Sequence, residues 1–141
     1  MRQRARITGM RGVHLIAELY ECGCAESLLA DAPTLQDLCL STCAAAGLTP
    51  VGFVFHQFAS DQGPAGATGA VILAESHLAV HTWPEHGAVT LDLYVCNFSH
   101  DNTIAARAAC RRLIAGFAPG HSVERELERG DYTLAAAGDG D

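Results

Sequence analysis

The sequence predicts an α+β fold, a two-layer sandwich with helices packed on one face of a mostly antiparallel sheet. Three observations predict it. Extended and helical periodicities follow one another as strand, helix, strands, helix, strand along 141 residues. The extended segments alternate apolar and polar residues, and each helical segment carries one apolar stripe. The length suits a single domain with one core. Residues 1–141 are therefore read as one domain, with flexible ends expected at 1–11 and 133–141.

Residues 14–21 (HLIAELYE) alternate as a strand, with Leu15, Ala17 and Leu19 on one face, and Cys22, Gly23 and Cys24 form a turn. Residues 33–46 place Leu35, Leu38, Cys39 and Cys43 at helical spacing, with Pro33 in the first turn and Gly47 at the stop. Residues 50–58 (PVGFVFHQF) form a second strand, with Val51, Phe53 and Phe55 opposite Val54, His56 and Phe58; both faces are expected to be partly covered. The Gly, Ala and Pro of residues 59–67 mark a loop.

Residues 68–81 are a long apolar strand, or two strands broken near Glu75, and Pro84 ends the run. His86 and Gly87 turn the chain into residues 88–96, where Val89, Leu91, Leu93 and Val95 alternate with Thr90, Asp92, Tyr94 and Cys96 in a hairpin. Ser99 or Asp101 caps the next helix, whose stripe is Ala106, Cys110, Leu113, Ile114 and Phe117 and which stops before Pro119. Residues 122–128 alternate as a half-exposed edge strand.

Composition narrows the function. All nine cationic side chains are Arg, so no lysine is present to hold pyridoxal phosphate or to serve a Walker-type phosphate loop. Carbanion chemistry here would need an electrophile from a metal, a bound cofactor or the backbone itself. A net charge of -7 opposes nucleic-acid binding, and the one basic run, Arg2, Arg4, Arg6 and Arg11, reads as a solvated tail. No stretch reaches the ~20 apolar residues of a membrane span and no secretory signal opens the chain, so a cytoplasmic address is expected. Cys22, Cys24, Cys39 and Cys43 are then reduced thiols that act as small hydrophobes.

The segment of greatest chemical interest is 74–85 (AESHLAVHTWPE). In a regular strand Ser76 faces away from His77 and His81, so a bend or bulge near Glu75 and Ser76 is expected if Ser76 and His81 are to meet. Generic chemistry leaves several readings open. Ser76 can be an ordinary strand serine and the histidines core or surface groups satisfied by carbonyls. A serine hydrolase lacks the Gly-x-Ser-x-Gly elbow, although Asp92 formally completes a triad. A zinc site from His77, His81, His86 and Cys96 has suitable ligands without a paired spacing.

ESHLAVHTWPE, preceded by GATGAV and followed by LDLYVC, resembles the processing site of prokaryotic S-adenosylmethionine decarboxylase proenzymes. The similarity continues through GVHLIAELYEC (12–22) and VERELERGDY (123–132), covering nearly the whole chain except its ends. The resemblance implies self-cleavage between Glu75 and Ser76. The serine hydroxyl attacks the Glu75 carbonyl to give an ester, and elimination converts Ser76 into a pyruvoyl group. That ketone forms an imine with the substrate amine and takes up electrons as carbon dioxide leaves, which answers the absence of lysine.

By the same resemblance, His81 removes the serine Cα proton, Cys96 protonates the product carbanion, and Thr68 replaces a serine that hydrogen-bonds the processing intermediate. Glu85 accepts from the ribose hydroxyls and Phe58 stacks on adenine. The expected partner is S-adenosylmethionine, for spermidine synthesis, and the expected assembly a homodimer of processed protomers. The alternatives are a pyruvoyl decarboxylase of arginine or ornithine, and an unprocessed binding or regulatory homologue.

Overall fold

Period-two burial runs through every central strand and decides which side of the sheet the helices occupy. A computed structural model of the chain describes residues 6–7, 11–98, 100–130 and 134–135. Its elements are β1 (Arg6–Ile7), β2 (Gly12–Cys22), α1 (Glu26–Ala30), α2 (Ala32–Ala45), β3 (Pro50–Gln57), β4 (Ala67–Leu73), β5 (Ser76–Trp83), a 3-10 turn (Pro84–His86), β6 (Ala88–Cys96), α3 (Thr103–Phe117), β7 (Pro119–Arg129) and β8 (Leu134–Ala135). Six strands form one sheet in the order β3-β4-β5-β6-β2-β7, and every ladder is antiparallel. The helices lie on one face, giving the expected two-layer α+β sandwich. Of the expected flexible ends, residues 1–5, 8–10, 133 and 136–141 lie outside the described residues, and β1 pairs with β8.

Val13, Leu15, Ala17 and Leu19 of β2, Val71 and Leu73 of β4, Leu78 and Val80 of β5, and Val89, Leu91, Leu93 and Val95 of β6 all point to the helices. They meet Leu35, Cys39 and Cys43 of α2 and Ala106, Ala109, Cys110, Leu113 and Phe117 of α3. Each large side chain buried here contributes about 1.5–3 kcal/mol of transfer free energy. The opposite positions form a sheet face that carries no helix.

Three details depart from the sequence reading. A short helix, α1, follows the Cys22–Cys24 turn, and Asp31 both ends it and caps α2 by accepting from the Thr34 N–H at 3.0 Å. β3 is an edge strand with Val51, Phe53 and Val54 exposed, because only β4 flanks it. Its half-buried Phe55 lies over Gly69, where any Cβ would fall 2.1 Å from the ring. In agreement with the second of the two sequence readings, residues 68–81 are two strands, joined by the two-residue turn Ala74-Glu75. Asn102 takes the capping position of α3, while the Asp101 carboxylate accepts from the Thr103 N–H at 2.9 Å; Ser99 lies outside the described residues.

Candidate active site

The chain turns from β4 into β5 at Ala74 and Glu75, with Leu73 paired to Ser76. Glu75 has φ 66, a left-handed backbone in a residue with a Cβ. Such a conformation costs roughly 1–2 kcal/mol and falls at the second central position of the turn, which usually takes Gly or Asn. The next residue is Ser76, whose Oγ is buried and, among the described residues, is the buried side-chain oxygen or nitrogen without a hydrogen-bond partner. A buried hydroxyl without a protein partner loses its hydration unrepaid, which singles Ser76 out among the polar side chains of the described residues. A small cleft lined by Thr49, Leu73, Ala74, Glu75, His100 and Asn102 opens beside this turn.

Cys96 ends β6 at the same edge of the sheet, one residue past Val95, the register partner of Ser76. It is 7% exposed. Its backbone is fixed from the helix side, where Asn102 Nδ2 donates to the Cys96 carbonyl at 3.2 Å and the Asn102 N–H donates to Asn97 Oδ1 at 2.8 Å. Cys96 thus stands beside the Glu75–Ser76 turn along the sheet, with its side chain on the helix-free face shared with Tyr94 while Ser76 shares the helix-facing side with Val95.

Thr68 and His81 form a second group. They are register partners on β4 and β5, and Thr68 Oγ1 lies 2.5 Å from His81 Nδ1. Both line a cavity of about 550 Å³ together with Phe58, Trp83, Glu85 and the neck of loop 58–66. Gln57 fixes that neck: its Oε1 accepts from the Ala32 N–H at 2.7 Å, and its Nε2 donates to Ala30 O at 2.9 Å and Gly66 O at 3.1 Å. Gly66 is required there, since a Cβ would stand 2.0 Å from Thr82 O. The buried Thr82 hydroxyl donates to Leu29 O at 2.7 Å and accepts from the Ala67 N–H at 2.9 Å, tying α1 to the cavity floor.

The bend expected near Glu75 does not unite the two groups. The turn precedes Ser76, and β5 runs without a bulge from Ser76 to Trp83. His81 therefore stands five residues along and on the opposite face, about 16 Å away at strand rise. Within one chain Ser76 and His81 remain apart.

A third cluster lies on the helix-free face, on β5, β6 and β2. His14 Nε2 lies 2.8 Å and His77 Nε2 3.4 Å from Asp92 Oδ2. Both histidine rings flank Tyr94, and the Arg129 guanidinium sits 3.9 Å from its ring centroid. These three ligand-type groups are close enough to hold a metal ion. However, Arg129 Nη1 approaches His14 Nδ1 at 3.4 Å, and a guanidinium can only donate. A His14 ring that accepts there at Nδ1 donates from Nε2–H to Asp92, which leaves Nε2 no lone pair for a metal. The zinc set His77, His81, His86 and Cys96 is not gathered: His77 joins His14 and Asp92, while His81 joins Thr68. The sequence signal for this missed cluster is outward-facing positions on neighbouring strands, which becomes visible only once strand order is known.

Burial and then the hydrogen bond to Cys96 hold the Tyr94 hydroxyl above the ordinary phenol range, with Arg129 opposing. The cysteines away from this edge are structural. Burial, reinforced by Cys43, pushes Cys39 up to about 12, and burial pushes Cys43 to about 11.

Comparison with known proteins identifies the family and the fold. The family model described as S-adenosylmethionine decarboxylase matches residues 13–130. The S-adenosylmethionine decarboxylase proenzyme of Archaeoglobus fulgidus is 38% identical over 119 residues, covering 84% of this chain and 97% of that protein. The proenzyme of Syntrophomonas wolfei is 35% identical over 119 residues, covering 84% and 86%. The crystal structure of the adenosylmethionine decarboxylase from Aquifex aeolicus is similar with a TM-score of 0.72 at 32% identity, covering 86% of this chain and 92% of that one.

Proposed function

The chain belongs to the S-adenosylmethionine decarboxylase family, and from that premise we propose that it cuts itself between Glu75 and Ser76 and then decarboxylates S-adenosylmethionine to the aminopropyl donor of spermidine synthesis. The observation that carries the reading is the buried, unpartnered Ser76 hydroxyl directly after the left-handed Glu75. A hydroxyl with no competing hydrogen bond is available for attack on the preceding carbonyl. Strain in the turn is relieved when the peptide bond breaks.

Ser76 Oγ bonds to the Glu75 carbonyl carbon, the peptide C–N bond breaks, and the hydroxyl proton passes to nitrogen, leaving an ester. Removal of the Ser76 Cα proton then expels the Glu75 carboxylate, and hydrolysis with loss of ammonia leaves a pyruvoyl group on residue 76. The fit of that group rests on the same site, since Ser76 is already enclosed at its turn. When formed, it supplies the electron sink for decarboxylation.

His81 is the base for the Cα proton, with Thr68 fixing its ring through Nδ1. Because His81 stands about 16 Å from Ser76 in its own chain, it serves the Ser76 of a second copy. The helix-free face, with Ile72, Trp83 and Leu127 exposed, is the surface for that copy. A two-fold relation reversing the strand direction lays the Ser76 end of one sheet over the His81 end of the other. Glu85 then accepts from the ribose diol, Phe58 stacks on adenine, and Cys96 returns the proton. A cavity of about 550 Å³ with aromatic walls suits a nucleoside better than arginine or ornithine.

The test is release of carbon dioxide from carboxyl-labelled S-adenosylmethionine, with the Ser76→Ala variant as the uncut control. Wild type should release it and the variant should not. Binding of S-adenosylmethionine by an uncut wild-type chain without release would mark a binding module instead.

A further inference from the structure

The polar cluster on the helix-free face is not used by the reading above, yet it ends at the residue assigned as proton donor. Tyr94 and Cys96 are two apart on β6, so their side chains share a face. Tyr94 is held on several sides. The His14 ring centroid lies 5.8 Å and the His77 centroid 5.6 Å from its own, and Arg129 covers its face at 3.9 Å. His14 and His77 are in turn anchored on the Asp92 carboxylate. With its ring packed in this way, the Tyr94 hydroxyl is hydrogen-bonded to the Cys96 thiol.

We propose that Tyr94 is a positioning residue for Cys96: clamped by His14, His77 and Arg129, it orients the thiol for proton delivery and stabilises the thiolate that delivery leaves behind. The inference rests on the decarboxylase reading. In the step concerned, the Cys96 S–H bond breaks and the proton forms a C–H bond at the carbon that has lost carbon dioxide. The electron pair stays on sulfur, where the Tyr94 O–H donates to it. Sulfur regains a proton from water after the product leaves. Arg129 strengthens the donor by drawing charge from the ring.

Tyr94→Phe isolates the hydroxyl, because the ring contacts and the Arg129 stacking survive. Self-cleavage, read by intact mass, should remain complete, and KM should stay within about twofold of wild type. Loss of a hydrogen bond to a charged group predicts a fall in kcat of about ten- to a hundredfold. A second readout needs no turnover: the rate of Cys96 alkylation by iodoacetamide, followed by peptide mass, should fall severalfold. Tyr94→Leu separates packing from hydrogen bonding. If the residue only packs, Phe is silent in both measurements while Leu is not, and the proposal is overturned. If wild type releases no carbon dioxide, the decarboxylase reading fails, and the alkylation rates still decide whether Tyr94 controls the thiol.

Discussion

If His81 acts on the Ser76 of a second copy, two inactive chains should rescue each other. Ser76→Ala removes the nucleophile, and His81→Ala removes the base, so neither variant should process when expressed alone. Co-expressed, they form mixed dimers in which the His81→Ala chain supplies Ser76 and the Ser76→Ala chain supplies His81. Random pairing at equal expression places about half of the His81→Ala chains in mixed dimers, so about half of them, or a quarter of all chains, should be cut. The expectation follows from the strand geometry. Five residues of regular β5 hold the two side chains about 16 Å apart and on opposite faces, too far for proton transfer within one chain. The assay is intact mass on differently tagged chains, read after long incubation. Absence of fragments from the mixture, with both chains folded and paired, would refute the reasoning and place His81 in service of its own chain.

Three further outcomes follow from the contacts. Thr82→Val keeps shape but leaves Leu29 O and the Ala67 N–H unpaired, which should cost about 2–4 kcal/mol in urea unfolding; a loss below about 1 kcal/mol would show that the cavity floor repairs itself. Thr68→Val should slow self-cleavage about tenfold while Thr68→Ser does not, because it is the hydroxyl that holds His81 Nδ1; equal fragment time courses would contradict this. Cys39 keeps its proton up to about 12 when folded against an ordinary value of 9.0, so the unfolded chain releases that proton first as pH rises. Stability present below pH 9.0 should therefore decline above it by up to about 1.4 kcal/mol per pH unit for this thiol, a slope that Cys39→Ala removes in unfolding titrations.

The sheet was legible where one face is buried. Leu15, Leu91 and Leu93 could only alternate as they do against a covering layer, and the helix stripe through Ala106, Cys110, Leu113 and Phe117 named its own core face. β3 misled because Val51, Phe53 and Val54 look like covered residues, whereas apolar side chains on an edge strand can remain in solvent. Five-residue α1 is too short for a periodic signal. Every candidate site residue stood out by type, but their grouping did not. Sequence proximity suggested that Ser76 and His81 act together within one chain, while the register pairs His81 with Thr68 and places Ser76 beside the end of β6. The Tyr94 cluster depends on the neighbour relation of β5, β6 and β2, which no local pattern encodes.

The central claim is that the chain makes its own electrophile at Ser76, and the intact mass of freshly purified protein tests it most directly. Two fragments divided between Glu75 and Ser76, with the C-terminal one lighter than its serine form by one ammonia, are the predicted result. A single uncut chain that persists through long incubation would contradict it.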